Sequence, residues 1–254
     1  MNKIENVYPR EYDFYDLMVV AWNFYYRNYI SIFKIAFISY FSINLIIILL
    51  PDIDIKGLFS YSGKDAGYLS FYLTSIFFLT SLSNIPIVSY SINKLNSLEV
   101  DFKICYSYTL NRFKKQFFAN LGTIALFFVS MFFWMFVSIK IPTIFLLSII
   151  PVIVILLFFS FSILAFITRD INLWMSFGYS FRVVNGRWAR ILLYSVIVYA
   201  LSGITSMAVS IPYTFFARTL FSELIFNTIV NVLCSYFVVL MTFLFINLDD
   251  TKII

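Results

Sequence analysis

The stretch from Phe117 to Thr168 reads as one apolar run, broken only at Lys140-Ile141-Pro142. Crossing about 30 Å of hydrocarbon takes about 20 residues of helix. A run of about 50 residues is too long for one crossing, so it must cross twice. Pro142 disfavours helix at the residue before it. Lys140 can carry its charge to the headgroup layer on its own aliphatic stem. The pattern predicts a tight membrane hairpin.

Five further features point the same way. Only 12% of the 254 residues are charged, 61% are hydrophobic, and mean hydropathy is +0.90. A soluble domain of this size carries about 25% charged residues. Aromatics reach 21%, and Tyr and Trp favour the membrane interface. Six stretches are long and apolar enough to span: Tyr29–Leu50, Tyr68–Ile92, Phe117–Ile139, Thr143–Thr168, Ile191–Phe215 and Leu224–Ile246. With the N-terminus inside, 14 of the 18 Lys and Arg fall on the cytoplasmic side, and only Lys56, Lys64, Lys140 and Arg218 lie opposite. That positive-inside bias agrees with the even number of spans, which puts both termini in the cytoplasm. The first 28 residues hold Glu5, Glu11, Asp13 and Asp16 and no continuous apolar core, so no cleavable signal peptide is expected. The expected home is the bacterial inner membrane.

Each pair of spans follows a segment with helical periodicity. In the first, Phe14, Leu17, Met18, Ala21, Trp22 and Tyr25 form an apolar stripe, with Asp13 as N-cap. In the second, Phe102, Cys105, Tyr106, Thr109, Phe113 and Phe117 form the stripe, and Asn96 with Glu99 has capping-box spacing. In the third, Asp170 is placed to cap a helix whose stripe is Trp174, Phe177, Gly178, Phe181 and Val184, and Asn185-Gly186 reads as a turn. The fold expected is an all-α integral membrane domain over 1–254. It has six transmembrane helices in three hairpins, each preceded by a cytoplasmic amphipathic interfacial helix. The repeat units are approximately 11–92, 95–168 and 170–248. Basic amphipathic helices lie in the headgroup plane, where they orient spans or dock a partner.

Chemistry is sparse. The chain has no His and two separated Cys, Cys105 and Cys234, expected to stay reduced. His-based catalysis, His or thiolate metal sites and cofactor loops are therefore not expected, and no enzyme is predicted. The net charge of +5 sits between apolar runs, which suits membrane lipids and not nucleic acid. No acid falls well inside a span, against ion-coupled transport. Asn44, Asn84, Asn120, Asn227 and Asn231 supply the intramembrane polarity. Interhelical hydrogen bonding accounts for them, or a polar groove. Asn227 and Asn231 are expected on one face. Asp52, Asp54 and Asp65 read as a solvated external loop, and Asp249-Asp250 as partners for Arg187 or Arg190. The candidate contacts for headgroups or a partner are Trp22, Arg27, Lys103, Arg112, Lys114, Lys115, Arg182, Arg187, Trp188 and Arg190.

Several motifs carry a family resemblance: Ala21-Trp22 with Arg27-Asn28, Tyr179-Ser180-Phe181-Arg182, Asn185-Gly186-Arg187-Trp188, and the ending Phe245-Ile246-Asn247-Leu248-Asp249-Asp250. With this plan, nearly the whole chain resembles the membrane-domain family associated with glycerophosphodiester phosphodiesterases and its six-span relatives. The resemblance implies a membrane module without the catalytic domain, in lipid handling, transport support or envelope maintenance. The plan also looks like permease subunits of ABC-2 type exporters. There the basic segment 94–115 would be a coupling helix and the partner a cytoplasmic ATPase, although the third surface helix is foreign to that family. A third reading is a scaffold that recruits a cytoplasmic partner through its basic segments.

Overall fold

A computed structural model describes residues 12–48, 63–96, 102–115, 161–169, 171–213 and 219–250, with isolated positions between them. Most of predicted spans three and four, Asn120 and the loop with Asp52 and Asp54 lie outside the described residues. The described residues are helical, without strands. In chain order the helices are α1 (Phe14–Arg27), α2 (Tyr29–Ile48), α3 (Gly63–Leu95), α4 (Phe102–Lys115), α5 (Leu173–Val184), α6 (Trp188–Tyr213) and α7 (Leu220–Asp250). Residues 161–168 are also helical. Among the described residues, three helices are long and apolar enough to cross a membrane: α2, α6 and α7.

Helix α7 is the hub, packed against α1, α2, α3, α5 and α6. Of its most apolar window 61% is buried, against 33% for α2 and 17% for α6. The outer helices therefore leave one face exposed, and α6 buries the smallest share of the three. Ile204, Met207 and Ile211 on α6 are 62–72% exposed. α2 divides more evenly. Ile32, Ile35, Ala36, Ser39, Tyr40 and Asn44 form its buried face, the i, i+3, i+4, i+7 row of one helix side.

The short helices stand where periodicity places them, but their starts differ. Asp13 has extended backbone and passes its carbonyl to Leu17, yet its side chain makes no capping bond. Asn96 closes α3 by bonding back to Ile92, so it does not open the next helix. At α5 the cap is Asn172, which accepts from the Met175 N–H at 2.7 Å. The helix thus begins two residues beyond the expected Asp170, because Asn172 has the acceptor at the right offset.

α1 docks by its expected stripe. Leu17 and Ala21 are buried, Phe24 meets Phe243 at 5.2 Å, and the Tyr236 hydroxyl donates to the Met18 carbonyl at 3.1 Å. Asn28 makes the elbow into α2. Its side-chain nitrogen donates to the Phe24 carbonyl at 2.8 Å, and its side-chain oxygen accepts from Tyr90 on α3 at 3.3 Å. α4 docks through buried Cys105 and through Tyr106, whose hydroxyl meets Ser39 and the Ile35 carbonyl on α2.

The turn from α5 to α6 needs Gly186, at φ +83°. A Cβ there would meet nothing, so the cost of a side chain is conformational alone. Gly186→Ala should cost about 1–2 kcal/mol, read as a lower unfolding midpoint in detergent. A change within about 0.3 kcal/mol would mean the turn relaxes out of this conformation.

Candidate functional site

α5 splits its apolar stripe between two faces. Its buried side is Ser176, Ser180, Val183 and Val184, while Trp174, Met175 and Phe181 are 59–61% exposed. The reason is steric: small residues let helix backbones approach closely in a membrane bundle. The two serines therefore turn toward the body of the protein, and the bulky aromatics turn away. Ser176 also returns its hydroxyl to the Asn172 carbonyl at 2.8 Å, removing its polarity from the contact. Of the stripe that periodicity picks out, Trp174 and Phe181 face outward, while Phe177 packs against the core and Val184 is buried in it. Trp188, at the start of α6, adds to the outward face with 63% exposure.

Where α7 ends, an ion pair closes the structure. Arg169 places Nε at 2.8 Å and Nη2 at 2.7 Å from Asp249 Oδ2. Tyr179 donates its hydroxyl to Asp249 Oδ1. The Asp249 side chain is 6% exposed and that of Arg169 is 23% exposed. The Tyr179 ring also lies 5.8 Å from the Arg169 guanidinium and 5.6 Å from that of Arg182. Burial, followed by the bond to Asp249, pushes the Tyr179 hydroxyl up to about 12, so its proton stays in place throughout the physiological range. Asp249 was expected to meet Arg187 or Arg190. Arg169 takes that position because the 161–168 helix packs beside α7, with Phe161 against Phe245 at 5.7 Å. Asp249 thus holds Arg169 and Tyr179 together, and Tyr179 in turn carries Arg182, so the cluster suits positioning.

The predicted asparagines separate into two groups. Asn44 is buried and donates to Thr228 at 3.2 Å, and Asn231 donates to Asn44 at 3.4 Å. Asn84 accepts from the Tyr40 hydroxyl at 2.6 Å. Asn227 is exposed, contrary to its expected place beside Asn231. Thr228, the next residue, is turned toward Asn44 instead and is fully buried.

Between these bonds lies a cavity of about 230 Å³, lined by residues of α2, α3, the 161–168 segment, α6 and α7. Tyr40, Thr80, Asn84, Ser202, Asn231 and Cys234 are among its polar residues, and Val88, Val198 and Phe237 form part of its apolar wall. Compared with known proteins, the chain matches no family model, no curated protein and no solved structure. The arrangement must therefore be read from its own chemistry.

Among the predicted surface contacts, Trp22 is 54% exposed and sets its ring 5.5 Å from Tyr236, edge-on. Arg27, Lys103, Arg182 and Arg190 are exposed, and Arg187 is half-buried. The side chains of Arg112, Lys114 and Lys115 lie outside the described set, although α4 carries all three. Sequence reasoning missed Arg169 and Tyr179 as a unit. The available signal was an arginine at the end of one apolar run and an aspartate at the end of another.

Proposed function

We propose that this chain is a non-catalytic, polytopic protein of the bacterial cytoplasmic membrane, a module of the phosphodiesterase-membrane-domain kind that handles lipid in support of transport or envelope maintenance. In this reading α3 and the hairpin of the 117–168 run join α2, α6 and α7 as six spans. Both termini lie inside, and α1, α4 and α5 rest in the cytoplasmic headgroup layer. The observation that carries it is the outward aromatic face of α5, with Trp174 and Phe181 exposed next to Trp188 at the head of α6. Exposed aromatics at the end of an apolar span suit the membrane interface, where one end of the ring is wet and the other is not. Arg182, Arg187 and Arg190 sit in the same 20-residue neighbourhood, where a basic side chain adds about 1 kcal/mol of attraction to anionic lipid.

The test is lipid retention. The protein should stay with membranes through alkaline extraction and copurify with phosphatidylglycerol in excess of its share of the bulk lipid. Changing Arg182, Arg187 and Arg190 together to Gln should reduce that excess about tenfold or more, given the worth of each charge. Release at alkaline pH sinks the membrane reading. An unchanged lipid profile in the triple variant sinks the headgroup role.

A further inference from the structure

We infer that the cavity between α6 and α7 is a binding site for an uncharged lipid alcohol, entered sideways from the bilayer. The space exists because α6 packs extensively on α7 but not on α2 or α3. A wedge is left open where a fully packed bundle would have side chains. Several of its polar residues share one level: Tyr40, Thr80, Ser202 and Cys234 all lie near the middle of their helices, and Asn84 and Asn231 lie within a turn or so of it. In the membrane reading proposed above, on which this inference rests, that level is the centre of the bilayer.

Three observations select the ligand. The lining holds no Asp, Glu, Lys or Arg, and a charged group at that depth is costly without a partner. The occupant is therefore neutral. The volume of about 230 Å³ exceeds the roughly 150 Å³ of a cavity that takes benzene and falls below the roughly 300 Å³ at which drug-sized sites begin. It holds one small polar group with a short length of chain, and a whole phospholipid is too large. Finally, the wall offers hydrogen bonds of both senses. Asn84 uses its oxygen to accept from Tyr40, which leaves its amide nitrogen as a donor. Asn231 uses its nitrogen toward Asn44, which leaves its oxygen as an acceptor. The Ser202 hydroxyl serves either way. A hydroxyl group matches this set, being donor and acceptor at once. The tail leaves past Tyr199, which lines the cavity and is 49% exposed.

Photolabelling of the full chain in lipid nanodiscs tests this, using a dodecanol analogue with a diazirine close to its hydroxyl. Adducts should concentrate on the peptides holding Tyr199 and Cys234. Excess dodecanol should remove them, whereas dodecane and dodecyl sulfate should not. Ser202→Ala deletes a hydroxyl with no partner among the described residues and should weaken competition by dodecanol about threefold, the worth of one hydrogen bond between membrane helices. Ser202→Leu fills the space and should abolish the specific adducts. Labelling spread evenly over the outer face of α6, through Ile204 and Met207, overturns the site. Equal competition by dodecane, or full potency in Ser202→Ala, overturns recognition of the hydroxyl. Alkaline extraction, run in parallel, separates failure of the membrane reading from failure of the cavity.

Discussion

Asp249→Ala should destabilise the detergent-solubilised protein by about 3 kcal/mol. Removing one partner of a buried pair costs about 3–5 kcal/mol, because the remaining charge is stranded. Here Asp249 is nearly sealed but Arg169 keeps 23% of its side-chain exposure, so the lower end of that range applies. The same change orphans the Tyr179 hydroxyl, which donates to the carboxylate. Replacing both members, as in Arg169→Met with Asp249→Leu, should recover most of the loss, since a well-packed apolar pair can match a buried ion pair. The measurement is reversible unfolding in one detergent for the wild type, both single variants and the double. If Asp249→Ala shifts stability by less than about 0.5 kcal/mol, or if the double variant simply adds the two losses, the pair does not hold the end of α7 to the Arg169 turn.

The second large effect concerns which surfaces face protein and which face lipid. Phe245 is fully buried and packs against Phe161. In water, Phe→Ala at such a site costs about 3–5 kcal/mol. Lipid tails are as apolar as a helix interface, so the transfer part of that cost largely vanishes in a bilayer. What remains is the cavity term, about 24 cal/mol per Å³, and Phe245→Ala should therefore cost about 2–3 kcal/mol. Met207, 72% exposed on α6, touches little, and Met207→Ala should stay within about 0.5 kcal/mol. Parallel unfolding curves decide the matter. Similar losses at the two positions would show that the outer face of α6 is covered by protein.

These contrasts mark where sequence reading stops. Helix positions were legible because charge and turn signals are local: the helix end at Thr168, the turn at Asn185-Gly186 and the burial of Leu17 and Ala21 all stand as read. The inward face of α5 was not legible. Hydropathy measures preference for oil over water, and both lipid and a neighbouring helix are oil. Hydropathy therefore does not separate Trp174 and Phe181, which face outward, from Val184 of the same stripe, which is buried. The structure buries the small Ser176 and Ser180 instead of the two aromatics, and size has no hydropathic signature.

The same division applies to polar residues. The chain by itself determined that it is helical, that it has stretches long and apolar enough to cross a membrane, and that their polar residues are mostly amides and hydroxyls. These follow from composition and spacing, which act residue by residue. Only the tertiary structure decided that Asp249 meets Arg169 in preference to Arg187 or Arg190, that Thr228 replaces Asn227 beside Asn44, and that Tyr40, Asn84, Ser202 and Asn231 surround one space. Those outcomes depend on how far α6 leans from α2 and α3 and on where the 161–168 helix settles against α7. Both are sums over many weak contacts between residues far apart in the chain, and no local pattern records them.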